Sequence, residues 1–351
     1  MKELRENLYT VEKAIDAFIS QNNRMTKPLK TEFEFLKWLD EGRMVVLGGG
    51  SGLGKTAYVL QLIYNLVKNN QSENENDQVI GIYASSEMTV EELTMRLIVN
   101  QEAIDNVSMD TVRKKFNDRL VPPEELNEYR EKAKFILGGV PFYFLNASRF
   151  NLHSIIEMIK ATREKNPHKR IFVVIDYLQL MLLGCNTLEE KNRAIFDLKT
   201  ALTEYRANAI AISALNRDSL RNDYVDMSAF KDSGMIEYTT DIGILFAFKN
   251  DKGKYTLKSD EDTKQQSEIE LYTKCVKNRL GLEFSNKVIF NKKKQRFIFD
   301  RDYTVEIEDA TAEGRDRVFN EALEIEFEED NVSEKSIKKA EELQKQGFEF
   351  E

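Results

Sequence analysis

The chain has 351 residues, 41% of them hydrophobic, enough to bury a sizeable core in one large domain with appendages. Its net charge of −9 is unevenly spread: residues 305–351 hold 16 acidic and 6 basic side chains, which leaves residues 1–304 at +1. A near-neutral body of that kind is compatible with a basic nucleic-acid channel. Two distant cysteines, Cys185 and Cys275, and two histidines, His153 and His168, argue against zinc sites and histidine catalysis and for a reduced setting. No run of about 18 apolar residues offers a membrane span, and the start Met1-Lys2-Glu3-Leu4-Arg5-Glu6 is too charged for a signal peptide. A cytoplasmic location is therefore expected.

Residues 4–19 place Leu4, Leu8, Val11, Ala14, Ile15, Phe18 and Ile19 on one face of an amphipathic helix, ahead of any core strand. It must dock on its own core or on a neighbouring subunit. After the connector Asn22–Leu29, the apolar run Met44-Val45-Val46-Leu47 reads as a buried strand. The segment Gly49-Gly50-Ser51-Gly52-Leu53-Gly54-Lys55-Thr56 follows, and then a helix over Ala57–Val67. This is G-x-x-x-x-G-K-[ST] between a strand and a helix, the context in which such a loop cradles phosphates. Its glycines let backbone N–H groups approach a triphosphate, and the helix N-terminus adds positive potential. Lys55 is expected to reach the β- and γ-phosphates and Thr56 to hold Mg²⁺, so ATP and Mg²⁺ are the implied ligands.

Asn69–Gln78 reads as an exposed insert, and Val79–Ala84 as a strand ending in Ser85-Ser86-Glu87-Met88. Thr89-Val90-Glu91-Glu92 is a capping box. Thr111–Leu137 is charged and helical, broken at Pro122-Pro123. A short strand spans Pro141–Leu145, and Asn151 can cap the helix carrying Leu152, Ile155, Ile156 and Ile159. Ile171-Phe172-Val173-Val174-Ile175-Asp176 is an unbroken apolar strand, as expected of a central parallel strand buried on both faces. Thr187 opens a helix through Leu202, and Ala209–Ser213 is another buried strand. Strands at Ile242–Phe248, Glu268–Val276, Lys287–Phe290 and Arg296–Phe299 complete the set, the last of them spaced for an antiparallel edge. The alternation predicts an α/β fold with a mostly parallel central sheet flanked by helices. From residue 305 the chain is an acidic tail, read either as a disordered solubilising segment or as a docking peptide.

Asp176, at the carboxyl end of a buried strand, lies at the sheet edge where open α/β sheets bind ligands, and is the candidate second Mg²⁺ anchor. Glu87 ends a strand at the same edge and is the candidate for orienting water; the alternative is a surface acid preceding a helix. Lys277 and Arg279 are two same-face cations at a strand end, which on spacing alone reads more readily as an ordinary surface pair.

Gly49–Thr56, Ser86-Glu87-Met88 with Leu93-Thr94-Met95-Arg96-Leu97, and Ile175-Asp176-Tyr177-Leu178-Gln179-Leu180-Met181 together resemble the C-terminal ATPase domain of DnaB-type replicative DNA helicases. So do Leu215-Asn216-Arg217, Asp232-Ser233-Gly234-Met235-Ile236-Glu237 and Lys277-Asn278-Arg279, in the family's order and at its intervals. The resemblance covers roughly residues 28–304. It implies a RecA-like P-loop fold in a hexameric ring, with ATP held between subunits. It implies ATP hydrolysis driving 5′–3′ movement on single-stranded DNA in replication. It assigns Glu87 as the catalytic carboxylate and Arg279, with Lys277 beside it, as a finger reaching the neighbour's γ-phosphate. Single-stranded DNA contacts fall on the segment after Met181 and on Arg217, Arg221, Lys231, Asp232 and Gly234. Lys292-Lys293-Lys294 reads as a hairpin turn rather than a DNA contact. The domains implied are a linker-type helix at 1–27, the ATPase domain at 28–304 and the tail at 305–351, with primase or loader proteins as partners of the helix or tail.

Three departures from the family pattern stand out. Too few residues precede the P-loop for the family's N-terminal primase-engaging domain. Ala214 stands where the family usually has a Gln that senses the γ-phosphate, and Lys231-Asp232 stands for the usual Arg-Glu. Two rival readings remain on sequence: a RecA- or KaiC-like ATPase, and an ATP-gated assembly or helicase-loading module.

Overall fold

The computed structural model describes residues 28–299, apart from 38, 104–107, 113–122, 147–150, 232, 259–262 and 264, together with 11, 13 and 15. All of these belong to the first of two units into which the chain divides, Met1–Glu306. The expected helix over 4–19, the acidic tail and Asp232 therefore lie mostly or wholly outside the described residues.

Six parallel strands form the body of the sheet: β1 (Met44–Gly48), β2 (Val79–Ser85), β3 (Phe142–Asn146), β4 (Arg170–Asp176), β5 (Ala207–Ser213) and β6 (Ile242–Lys249). A short β7 (Tyr255–Thr256) pairs with β6. β8 (Glu268–Asn278), β9 (Ser285–Asn291) and β10 (Arg296–Phe299) extend the sheet antiparallel, in the order β10-β9-β8-β6-β1-β5-β4-β2-β3. The antiparallel edge is the one expected from close strand spacing.

Helices α1 (Lys55–Asn69), α2 (Val90–Asn100), α3 (Pro123–Leu137), α4 (Leu152–Lys165) and α5 (Leu188–Glu204) connect the strands. The strands read as continuous apolar runs because both faces are covered. Val45 and Leu47 join the core with α1, and Met44 and Val46 join the core with α4 and α5. The caps form as anticipated: Thr89 with Glu92 and Thr187 with Glu190 make capping boxes, and the Asn151 side chain accepts from Ser154 N.

The insert at 69–78 is largely exposed, as expected, but it is anchored at two points. Asn70 and Asp77 are buried. The Asn70 amide donates to the carbonyls of Lys30 and Leu66, and Gln71 donates to those of Val67 and Val79. Side-chain amides thus satisfy backbone groups that a floppy insert leaves to water.

The β9–β10 hairpin is pinned down by buried amides. Gln61 on α1 donates to Phe297 O at 2.9 Å and accepts from Phe297 N at 2.8 Å. Asn100 on α2 donates to Gln61 and to Gln295 O. Lys292–Lys294 sits in the turn between these strands, as expected. No helix among the described residues is long and apolar enough to cross a membrane.

Candidate functional site

Parallel strands deliver their carboxyl ends to one edge, and the site is built there. β1 ends at Gly48 and the chain turns through the glycine loop into α1. Gly52 and Gly54 have φ of 79° and 83°, left-handed values that side chains rarely adopt. At Gly54 a Cβ would also lie 2.6 Å from the Phe290 ring. Gly54 caps α1 without a side-chain hydrogen bond, so no side chain competes with an anion for the first N–H groups of the helix.

Lys55 Nζ donates to the carbonyls of Gly49 and Gly50, each at 2.9 Å, which folds the ammonium back over the loop. Burial lowers its pKa, and the nearby carboxylates of Asp176 and Glu87 oppose the shift.

β2 and β4 are neighbours in register, Ser85 opposite Asp176. Asp176 is 1% exposed. Its Oδ2 accepts from Thr56 Oγ1 at 2.9 Å and from the Tyr83 hydroxyl at 2.8 Å. Burial raises its pKa, the two hydroxyls lower it, and Glu87 raises it. The turn after β2 is fixed by Ser86 N donating to Asp176 O and Met88 N donating to Ser85 Oγ. It sets Glu87 on the wall of the same cleft, exposed to solvent. The cleft, about 600 Å³, runs from the glycine loop past Glu87 and Asp176 to Ala214 and Leu215, and on its other side to Arg96, Phe290, Lys292 and Gln295.

Gly49–Gly52, Gly54–Thr56, Glu87 and Asp176 thus meet in one place, and Leu53 is buried beneath them. Lys277 and Arg279 do not join them. β8 runs antiparallel to β6, so Asn278 pairs with Ile242 at the start of β6. Arg279 N donates to Asp241 O, and Asp241 N to Met44 O, which places Arg279 level with the beginning of β1. The five residues of β1 separate it from the P-loop edge, roughly 16 Å of strand. There the Arg279 guanidinium donates to Tyr238 O at 2.8 Å and Lys277 Nζ to Glu237 O, at the end of a short helix, Ser233–Thr239.

The 217–234 segment leaves β5 at the P-loop edge. It is more ordered than the loop expected: α6 (Arg217–Asn222), capped by Asn216, a 3₁₀ turn over Met227–Ala229, and α7 (Ser233–Thr239). The Asn216 side chain accepting from Ser219 N is what makes a helix where spacing alone shows none. Arg217, Arg221, Lys231 and Gly234 are all exposed. After Met181 the chain makes a turn with Leu183 and Gly184 exposed.

Sequence reasoning missed four participants. Tyr83 carries no signal in a strand where a buried aromatic is ordinary core. Arg96 and the β9–β10 hairpin reach the cleft only because of tertiary packing, with Arg96 donating to Gln295 Oε1. Gln179 lies within the Ile175–Met181 motif, where nothing in the spacing marks its amide for a task.

The DnaB-like helicase C terminal domain family matches residues 30–299. The Replicative DNA helicase DnaB of Rickettsia bellii (strain RML369-C) is 30% identical over 217 residues, which is 59% of this chain and 41% of the relative. A Probable plasmid replicative DNA helicase of Chlamydia psittaci is 27% identical over 270 residues, 75% of this chain and 53% of the relative. The chain thus matches about half, or less, of the length of these relatives. Among solved structures, an isolated ATPase domain superposes with a TM-score of 0.65 at 20% identity, covering 84% of this chain and all of that one. A DnaB-like replicative helicase described with its interactions with primase gives 0.61 at 21%, covering 83% and 67%. These two likenesses speak to the fold. With the family match spanning the whole sheet and the cleft, the chain belongs to the DnaB-like helicase C-terminal domain family.

Proposed function

We propose that this protein is an ATP-driven motor on single-stranded DNA, a replicative helicase of the DnaB type, assembled as a ring with ATP sites between subunits. The observation that carries the reading is the separation of its charged groups. The P-loop, Asp176 and Glu87 share one sheet edge, and Arg279 and Lys277 sit at the opposite edge. A guanidinium that cannot serve its own cleft is suited to serve that of a head-to-tail neighbour, in a ring if the rotation closes.

The residues fit Mg²⁺. The Thr56 hydroxyl and Asp176 carboxylate, 2.9 Å apart, are hard oxygen donors. Among the described residues no group of three or more His, Cys, Asp or Glu side chains is arranged to hold a metal. Were Mg²⁺ bound, the Thr56 hydroxyl would hold it and the Asp176 carboxylate would anchor it directly or through water, the few-oxygen protein environment that this ion accepts. When bound, the ion neutralises charge on the β- and γ-phosphates. Lys55 then leaves the loop carbonyls for the phosphates. Glu87, exposed to the cleft, orients the attacking water. Arg279 of a neighbour stabilises charge on the transferred phosphoryl group. The exposed Arg217, Arg221 and Lys231, with the backbone at Gly234, track the DNA backbone without reading bases.

The test is ATPase rate with and without single-stranded DNA, together with fork unwinding. Lys55→Ala is expected to abolish both activities. Glu87→Gln is expected to keep ATP binding and lose roughly 100-fold or more in turnover. One observation favours a second reading, an ATP-gated assembly module: the Ala214 methyl lines the cleft and has no hydrogen bond to offer a phosphate. ATP-driven assembly without DNA-stimulated turnover would select it.

A further inference from the structure

Ala214, on the wall of the cleft, has no side-chain hydrogen bond to offer the DNA-facing segment, and the structure shows an amide in reach of both. Gln179 lies three residues after Asp176, in the single helical turn Leu178–Met181. Its Oε1 accepts from Ala214 N at 3.0 Å. Its Nε2 donates to Ser213 Oγ at 2.8 Å and to Lys231 O at 3.3 Å. The partners fix the amide's orientation, because an N–H at Ala214 needs the oxygen and a carbonyl at Lys231 needs the nitrogen. One side chain therefore ties the end of β4, the end of β5 and the foot of the 231–234 segment. The ties to Ala214 and to Lys231 differ in rank. Ala214 lines the cleft, and Lys231 N already donates to Ala214 O at 2.9 Å, so the foot of the segment moves with residue 214. The 3.3 Å bond from Gln179 is the longer and weaker tie, and the one a small shift of β4 against β5 breaks first.

We propose that Gln179 is the positioning residue that couples nucleotide occupancy to the DNA-contacting segment, through its hydrogen bond to Lys231 O. The proposal rests on the motor reading above. A shift of Asp176 on engaging a metal-bound nucleotide moves Gln179, three residues along, and so makes or breaks its bond to Lys231 O. The Gln179 side chain touches neither phosphate nor DNA in this scheme. It sets how strongly each ligand senses the other.

The experiment measures single-stranded DNA affinity with and without a non-hydrolysable ATP analogue, and analogue affinity with and without DNA. It is done on the full chain and on Gln179→Met, Gln179→Glu and Gln179→Ala. Linkage requires the two ratios to be equal in each protein. In the wild type the ratio is expected to be about 10. In all three variants it falls to within twofold of 1, while the separate affinities and the melting temperature change little. Met keeps the volume without the hydrogen bonds. Glu keeps the acceptor facing Ala214 N but sets a carboxylate oxygen against Lys231 O, so these two decide the matter if Ala fails to fold. A Met or Glu variant with wild-type coupling overturns the proposal and leaves the motor reading standing. A wild type whose ratio is 1 overturns both.

Discussion

Asp176 Oδ2 takes two hydroxyl hydrogen bonds, from Thr56 and Tyr83, in a setting that burial makes hostile to its charge. Tyr83→Phe removes one of these donors, together with the long 3.5 Å contact of the same hydroxyl to Thr56 O. The half-saturating Mg²⁺ concentration for ATP hydrolysis is expected to rise about 10-fold, with little change at saturating Mg²⁺. A magnesium titration of ATPase rate at fixed ATP checks it, and an unchanged midpoint would show the phenol to be mere packing. Burial is the leading cause of the raised Asp176 pKa. A carboxyl raised in the folded state favours folding below its unfolded pKa, and that contribution is lost as pH climbs through the folded value. Without metal, Asp176→Asn is therefore expected to melt higher than wild type at pH 7, and the gap to narrow as pH falls into the carboxylate range. Thermal melts in chelator over a pH series read this directly. The acid itself was legible in the sequence because it ends an unbroken apolar strand. Its phenolic partner was not, because register across β2 and β4 decides which aromatic faces it.

At the scale of elements, the glycine loop depends on a hairpin about 240 residues further along the chain. Phe290 on β9 fills the space a side chain at Gly54 would need, and Gly54 has φ of 83°. Gly54→Ala is expected to cost about 1–3 kcal/mol from backbone strain, more with the clash, and to abolish nucleotide binding. Denaturant melts and nucleotide titration test both parts. Thr89→Ala breaks a capping box on α2 and is expected to cost about 1 kcal/mol while sparing ATP binding. Caps and strands were readable because they are local: residue type and period suffice. The 217–234 segment misled because its helices depend on one Asn cap and on a bridge between Leu215 and Phe230, contacts that periodicity does not encode.

For the whole molecule, the opposite-edge placement of Arg279 makes a prediction no single chain can satisfy. Arg279→Ala alone is expected to slow ATP turnover by about a thousandfold. Mixed with Lys55→Ala chains, it regains activity, because an intact P-loop then meets an intact guanidinium across the interface. ATPase assays on mixtures at varied ratio test this, and failure to recover at any ratio would place Arg279 outside the neighbour's site. Topology alone puts Arg279 at that edge, since β8 reverses direction against β6.

The central position of β1 bears also on how the chain comes off the ribosome. Among the described strands, the one that leads into the glycine loop is made first, yet its neighbours are β5 and β6. The contact from Arg43 to Asn208 spans 165 residues, and that from Met44 to Asp241 spans 197. At ordinary synthesis speeds that is roughly 10–40 s during which an apolar strand has no partner. Nascent chains that stop short of β6 leave the P-loop strand with an open side, a template for aggregation that ATP cannot shield. Holdase chaperones, rather than nucleotide, are the expected guardians of this protein until residue 249 has emerged.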